Sequence, residues 1–148
     1  MKKILISWLG NTDLKSAAQM TLRPEEEVGD GPILGALKSL SFTELHLLHD
    51  QNQTTEKVNG FINWLENHTS IVVKSKKCSL RSPIDFADIH QAMNTQLSQL
   101  TAENPDADIS IHLSPGTPAM ASVSVLLGKA RYNTRFVRST KEHGGEFV

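Results

Sequence analysis

The sequence predicts an α/β domain: a doubly wound, mostly parallel sheet of five to six strands with helices on both faces. Short apolar runs alternate with stretches of helical periodicity along the whole chain. No β-hairpin dipeptide joins one strand candidate to the next, so successive strands pair in parallel through right-handed crossovers. At 148 residues the chain is long enough for one well-buried core.

The elements follow in order. Residues 2–9 (Lys-Lys-Ile-Leu-Ile-Ser-Trp-Leu) form an apolar run stopped by Gly10-Asn11, as expected of a strand covered on both faces. Residues 14–29 lack clear periodicity and carry Arg23-Pro24 and the acidic run Glu25–Glu27, which predicts a long loop of the kind that tends to be functional. Asp30-Gly31-Pro32 offers a helix start with an Asx cap and a first-turn proline, and Ile33, Leu34, Leu37 and Leu40 follow at helical spacing. Residues 42–48 read as the second strand, closed by His49-Asp50. Thr54-Thr55 precede a helix with Val58, Phe61, Ile62 and Leu65 on one side.

Ile71–Val73 begin a third strand that runs through lysines to Cys78, and Ser82-Pro83 breaks the chain. Ile89, Met93, Leu97 and Leu100 mark an amphipathic helix, and Asn104-Pro105-Asp106 a turn. Ile109, Ile111 and Leu113 alternate as a fourth strand. Ser114-Pro115-Gly116-Thr117-Pro118 follows, then a helix of small and aliphatic residues over 119–130 and a fifth strand over 134–138.

Composition narrows the function. Fifteen Lys and Arg against sixteen Asp and Glu leave a net charge of −1, so any anion site has to be local. The single Cys78 excludes an intrachain disulfide and a multi-cysteine zinc site and reads as a small core residue. The apolar start is too short for a secretory signal, and no run approaches the roughly 20 residues of a membrane helix, so a cytoplasmic protein without a membrane partner is expected. The six histidines show no ligand pattern, and no metal site is expected. A Walker A loop, a Gly-x-Gly-x-x-Gly fingerprint, a nucleophile elbow and a Ser-His-Asp ordering are all missing, so no cofactor and no standard hydrolase chemistry are expected. Trp8, Trp64 and His112 read as packing or as groups bonded inside the sheet.

In a doubly wound sheet, ligands sit beyond the carboxyl ends of the strands, near the switch in strand order. Two loops compete for that place: Gly10-Asn11-Thr12-Asp13 after the first strand and Ser114–Pro118 after the fourth. Gly116 lets backbone approach a ligand, Thr117 caps the next helix while offering a hydroxyl, and Pro118 suits the first helical turn. A helix start attracts phosphate. An ordinary strand-to-helix turn uses the same residues, and local sequence leaves both readings open.

The combination Trp8-Leu-Gly-Asn-Thr12, Glu44-Leu-His-Leu-Leu-His-Asp50 and Ile111-His-Leu-Ser-Pro-Gly-Thr-Pro-Ala-Met120, with Ala130-Arg-Tyr132 shortly after, resembles the CARF family, the CRISPR-associated Rossmann fold. It is most similar to the amino-terminal sensor domain of RtcR-type sigma-54-dependent transcription activators, from residue 2 to about residue 139. The resemblance implies a Rossmann-like homodimer with a shared cleft over the strand tips, binding a cyclic oligoadenylate or an RNA end such as a 2′,3′-cyclic phosphate. Binding would switch an attached effector, here a transcription activator. Carried over by position, Gly10, Asn11 and Thr12 match the first ligand loop, and Ser114, Gly116, Thr117 and Pro118 the second; His49 and Asp50 match a strand end without an assigned role. Residues 1–141 are expected to form the sensor domain. Residues 142–148, with the linker-like Gly144-Gly145, are expected to be a tail or the start of a linker to a carboxyl-terminal effector in a longer chain. The alternative is a free-standing, metal-independent ring nuclease, in which Thr12, Ser114, Thr117 and a nearby Lys or Arg align a ribose 2′-hydroxyl and stabilise developing charge. Binding without turnover is the preferred expectation.

Overall fold

The computed structural model describes residues 1–22 and 29–148, for 19–22 the backbone alone. The chain runs β1 (Lys3–Trp8), α1 (Asn11–Leu22), α2 (Pro32–Ser39), β2 (Glu44–Asp50), α3 (Thr55–Glu66), β3 (Val72–Cys78), α4 (Phe86–Glu103), β4 (Asp108–His112), α5 (Pro118–Leu127), β5 (Arg135–Thr140) and β6 (Gly144–Phe147). A single π-helical turn, Gly128–Tyr132, extends α5. The strands form one sheet in the order β3-β2-β1-β4-β5-β6, parallel except for β6, which runs antiparallel to β5. The six-stranded, mostly parallel Rossmann-like sheet is the predicted fold class.

The apolar run of β1 serves both faces. Ile4, Ile6 and Trp8 pack with Ile109 and Ile111 under Ile89, Met93 and Leu97 of α4 and Met120 and Val123 of α5. Leu5 turns the other way and joins Leu45, Leu47 and Val137 beneath Ile33, Leu34 and Leu37 of α2 and Phe61 and Leu65 of α3. Strand period two thus divides one sequence run between two cores. Trp8 is 2% exposed and Cys78 5%, both core residues, and burial pushes the Cys78 thiol up to about 11. The β3 edge carries Lys74, Lys76 and Lys77, charges that discourage edge-to-edge pairing.

Two expectations need correction. Residues 14–22 are not loop: the helix α1 starts at Asn11 and runs to Leu22. Its inward positions include Asp13 and Ser16 beside Ala17, all buried, and polar or small residues facing inward erase the apolar periodicity that marks a helix. The rest of the expected loop, including Arg23 and the acidic run Glu25–Glu27, lies outside the described residues. Within the tail expected at 142–148, Gly144–Phe147 form the strand β6. Gly144 and Gly145 are close-packing residues of β6: a Cβ on Gly145 would sit 2.6 Å from the Cα of Ala36 on α2, and Gly144 adopts φ +66° against Ser39. Arg138 pairs with Glu146 at 2.7 Å, and the guanidinium of Arg135 lies 3.6 Å from the Phe147 ring centre, securing the strand further.

Replacing Gly145→Ala forces β6 and α2 apart and is expected to destabilise the fold by about 1–3 kcal/mol. Urea denaturation measures it; unchanged stability would show that β6 is not packed on α2.

Candidate functional site

The first crossovers carry the chain from β1 out to β3, and the return to β4 lands on β1's other side, so the strand order switches between β1 and β4. A cleft of about 370 Å³ opens there. Gly10–Asp13 line it from the tip of β1, Ser114–Thr117 from the tip of β4, Asp50, Asn52 and Gln53 from β2, and Pro32, Pro83 and Met120 complete it. Of the residues expected to bind ligand, the structure brings together Gly10, Asn11, Thr12, Ser114, Gly116 and Thr117. Pro118 is the first residue of α5 and lies outside the lining.

The loops approach backbone to backbone. A Cβ on Gly10 would stand 3.0 Å from the Gly116 nitrogen, and one on Gly116, at φ +92°, would meet Met120 Sδ at 2.6 Å. Thr117 caps α5 by accepting from Met120 N at 3.3 Å, while its hydroxyl donates to Pro83 O at 2.7 Å. Ser114 Oγ accepts from Ser139 N at 2.7 Å. Both hydroxyls therefore shape the cleft wall. Asn11 and Thr12 are exposed and make no side-chain hydrogen bond among the described residues.

Asp13, in the first candidate loop but not among the residues expected to bind ligand, is the joint of this region. It is 1% exposed; Oδ2 accepts from Gly10 N at 3.1 Å and Oδ1 from Ile33 N at 2.9 Å. The carboxylate ties the β1 loop to the amino end of α2, whose own N-cap, Gly31, has no side-chain cap in place of the expected Asp30. Burial pushes the carboxyl up to about 6 against the backbone bonds, which act downward. The β2 tip is equally fastened: Asp50 Oδ1 accepts from Asn52 N at 2.6 Å, and Gln53 Nε2 donates to Leu9 O at 2.8 Å. The Gln51 side-chain amide brackets Leu80, its Nε2 donating to the Leu80 carbonyl and its Oε1 accepting from the Leu80 N–H. In the sequence, Asp50 stands out as a strand end without an assigned role, and placing Asn52 and Gln53 here requires knowing that β2 neighbours β1.

His112 lies beneath the cleft, inside the sheet. Its Nε2 is 2.7 Å from Ser139 Oγ, whose proton goes to Pro32 O at 2.8 Å, so Nε2–H donates; Nδ1 lies 3.2 Å from Ser7 Oγ, whose single proton is shared between this nitrogen and Trp8 O at 3.0 Å. Desolvation pushes the ring down to about 3, keeping it neutral. This row of groups links β1, β4, β5 and the start of α2. His46 pairs instead with Glu44 at 3.0 Å, and Trp64 stacks with Phe61 and His68. Among the described residues no cluster of three or more His, Cys, Asp or Glu is placed to hold a metal, and no helix is long and apolar enough to cross a membrane.

Asp13 makes stability pH-dependent. Its folded value of about 6 lies above the ordinary 3.8, so its contribution is greatest at low pH and falls as pH rises from about 4 to about 6. Asp13→Asn keeps one acceptor and sets a donor against the other N–H, costing about 1–3 kcal/mol. The gap between wild type and variant in urea melts is expected to narrow across that window; a constant gap would mean that Asp13 does not titrate there.

No family model matches the sequence, and no curated protein matches it significantly. Solved structures do. Csm6 of Enterococcus italicus, bound to cyclic hexa-2′-fluoro-hexa-dAMP, aligns with a TM-score of 0.76 at 18% identity, over 95% of this chain and 34% of that one. Can2 of Sulfobacillus thermosulfidooxidans, in complex with cyclic tetra-adenylate, aligns with a TM-score of 0.59 at 13% identity, over 99% of this chain and 36% of that one. The chain spans about a third of the length of either. At such identities the likeness is one of fold: a Rossmann-like α/β architecture shared with both structures.

Proposed function

We propose that this domain is a ligand sensor that binds a cyclic oligoadenylate in the strand-tip cleft and does not cleave it. The observation that carries the reading is the meeting of the Gly10–Thr12 and Ser114–Thr117 loops, glycine against glycine, at the switch in strand order. The amino ends of α1, α2 and α5 all border this cleft, and each presents the positive end of a helix dipole. Asn11 and Thr12 offer uncommitted amide and hydroxyl groups to base and ribose edges. The two solved structures of the same fold, each with a cyclic oligonucleotide bound, support this class of ligand.

The chemistry favours binding over turnover. Cleavage by a ribose 2′-hydroxyl needs donors aimed at the developing charge. The Thr117 hydroxyl already donates to Pro83 O, Ser114 Oγ is held by the Ser139 N–H, and no lysine or arginine is among the described residues lining the cleft itself. A sensor also needs two arrangements to choose between, and we assign these to a homodimer that completes the cleft and passes its change to an effector, a transcription activator, in a longer chain. Val125 and Leu126 of α5, 40% and 59% exposed, and Ile84 and Phe86 beside the Pro83 wall supply an apolar surface for the second copy.

Cyclic tetra-adenylate and cyclic hexa-adenylate, at about 100 times Kd, are expected to raise Tm by roughly 5–10 °C and to be recovered intact by chromatography. Asn11→Ala with Thr12→Ala is expected to remove most of that shift. Linear products would establish the ring nuclease; a shift only with RNA ending in a 2′,3′-cyclic phosphate would transfer the site to RNA ends. Leu126→Asp is expected to turn a dimer into a monomer in analytical ultracentrifugation, and a wild-type monomer with or without ligand would end the dimer reading.

A further inference from the structure

The charge of the cleft does not suit the charge of its ligand. Its described lining holds two carboxylates, Asp13 and Asp50, and no basic side chain. Beside it lies a wider recess of about 800 Å³ between α1, the start of α2 and the β5–β6 turn. Thr12 and Pro32 line both, so the cleft and the recess share that rim.

The recess has the opposite sign. Lys15, Lys38 and Lys141 line it, with Asp30 as its one carboxylate among the described residues. Asp30 is taken by Lys38 at 3.1 Å. Lys15 and Lys141, exposed and from opposite ends of the sequence, have no ion pair among the described residues. Lys2 and Lys74 hold Glu44, Arg81 holds Asp88, Arg135 holds Asp108 and Arg138 holds Glu146; of the described cations without an ion pair, Lys15 and Lys141 are the two that line this recess. Two lysines without an ion pair among the described residues, facing one recess, raise the local potential where the carboxylates of the cleft lower it.

The geometry points to this recess as a phosphate subsite. A nucleotide ligand seats its base and ribose edges against the Gly10 and Gly116 loops and carries a phosphate over the Thr12–Pro32 rim to Lys15 and Lys141. The inference rests on the reading of the cleft as a nucleotide site and gives that ligand a direction, toward the β5–β6 turn. It also assigns a use to β6, whose hairpin with β5 packs on α2 and holds Lys141 in the wall of the recess.

Calorimetric titration of the full chain with sodium tripolyphosphate and with cyclic tetra-adenylate tests it, wild type against Lys15→Gln/Lys141→Gln. Both lysines are exposed, so an unchanged Tm verifies the fold of the variant. The variant is expected to lose tripolyphosphate binding and to bind cyclic tetra-adenylate about tenfold more weakly. Removing one lysine–phosphate pairing lowers the slope of log affinity against log salt by about 0.7, so the slope should fall by up to about 1.4 for the pair. Unchanged tetra-adenylate affinity and slope in the variant would overturn the subsite and leave the cleft reading standing. Lysine-dependent tripolyphosphate binding without tetra-adenylate binding would keep the subsite and remove the cyclic oligoadenylate. Failure of both probes to bind wild type would overturn both.

Discussion

Where β1 and β4 end, two loop backbones pass within touching distance of each other, and neither carries a side chain at that point. A Cβ on Gly10 would press on the Gly116 nitrogen at 3.0 Å, and Gly116 itself holds a φ of +92° that other residues rarely adopt. Everything built around the cleft assumes this approach. It lets α1 and α5 begin at the same crevice and allows Met120 to tuck beneath Gly116. It also sets the Asp13 carboxylate where it can reach both Gly10 and Ile33. The switch in strand order opens the crevice; the pair of glycines keeps it narrow.

Polar struts then hold the wall. Asp13 spans from α1 to α2, and the row Ser7–His112–Ser139 crosses from β1 to β5 and ends on Pro32 of α2. Both terminate at the amino end of α2, which borders the cleft and the neighbouring basic recess alike. Buried polar groups are tolerable only when satisfied, and here each finds its partner on another element, so together they set positions more than they add stability. The arrangement separates signs of charge among the described residues: carboxylates are spent inside, on backbone N–H groups, and lysines without an ion pair stand outside. A ligand carrying both neutral bases and charged phosphates meets both environments.

The fold was largely legible because it follows from patterns that tertiary packing reinforces. The apolar run Ile4–Leu9 reads as a strand buried on both faces, and Ile89, Met93, Leu97 and Leu100 read as one helical stripe; both are so. The pattern failed where inward positions are polar or small. Asp13, Ser16 and Ala17 face the interior of α1, and their chemistry hides its helix. Gly144-Gly145 failed for a related reason: a pair of glycines signals a linker in sequence, while here the absent Cβ atoms admit Ala36 of α2. Six of the expected ligand residues meet in the cleft, because strand-to-helix loops in a parallel sheet all rise at one edge.

By itself the sequence determined the alternating α/β order, the two strand-tip loops and the glycines that suit close approach, since each is written in local periodicity and backbone freedom. Tertiary structure alone decided which loops are neighbours and which hydroxyls are already engaged. It fixed what Asp13, Asp50 and Gln53 bond to at the site and brought Lys15 and Lys141 to one recess. The reason is that these facts depend on strand order and on the antiparallel return of β6, which juxtapose residues far apart in the chain and leave no trace in local spacing.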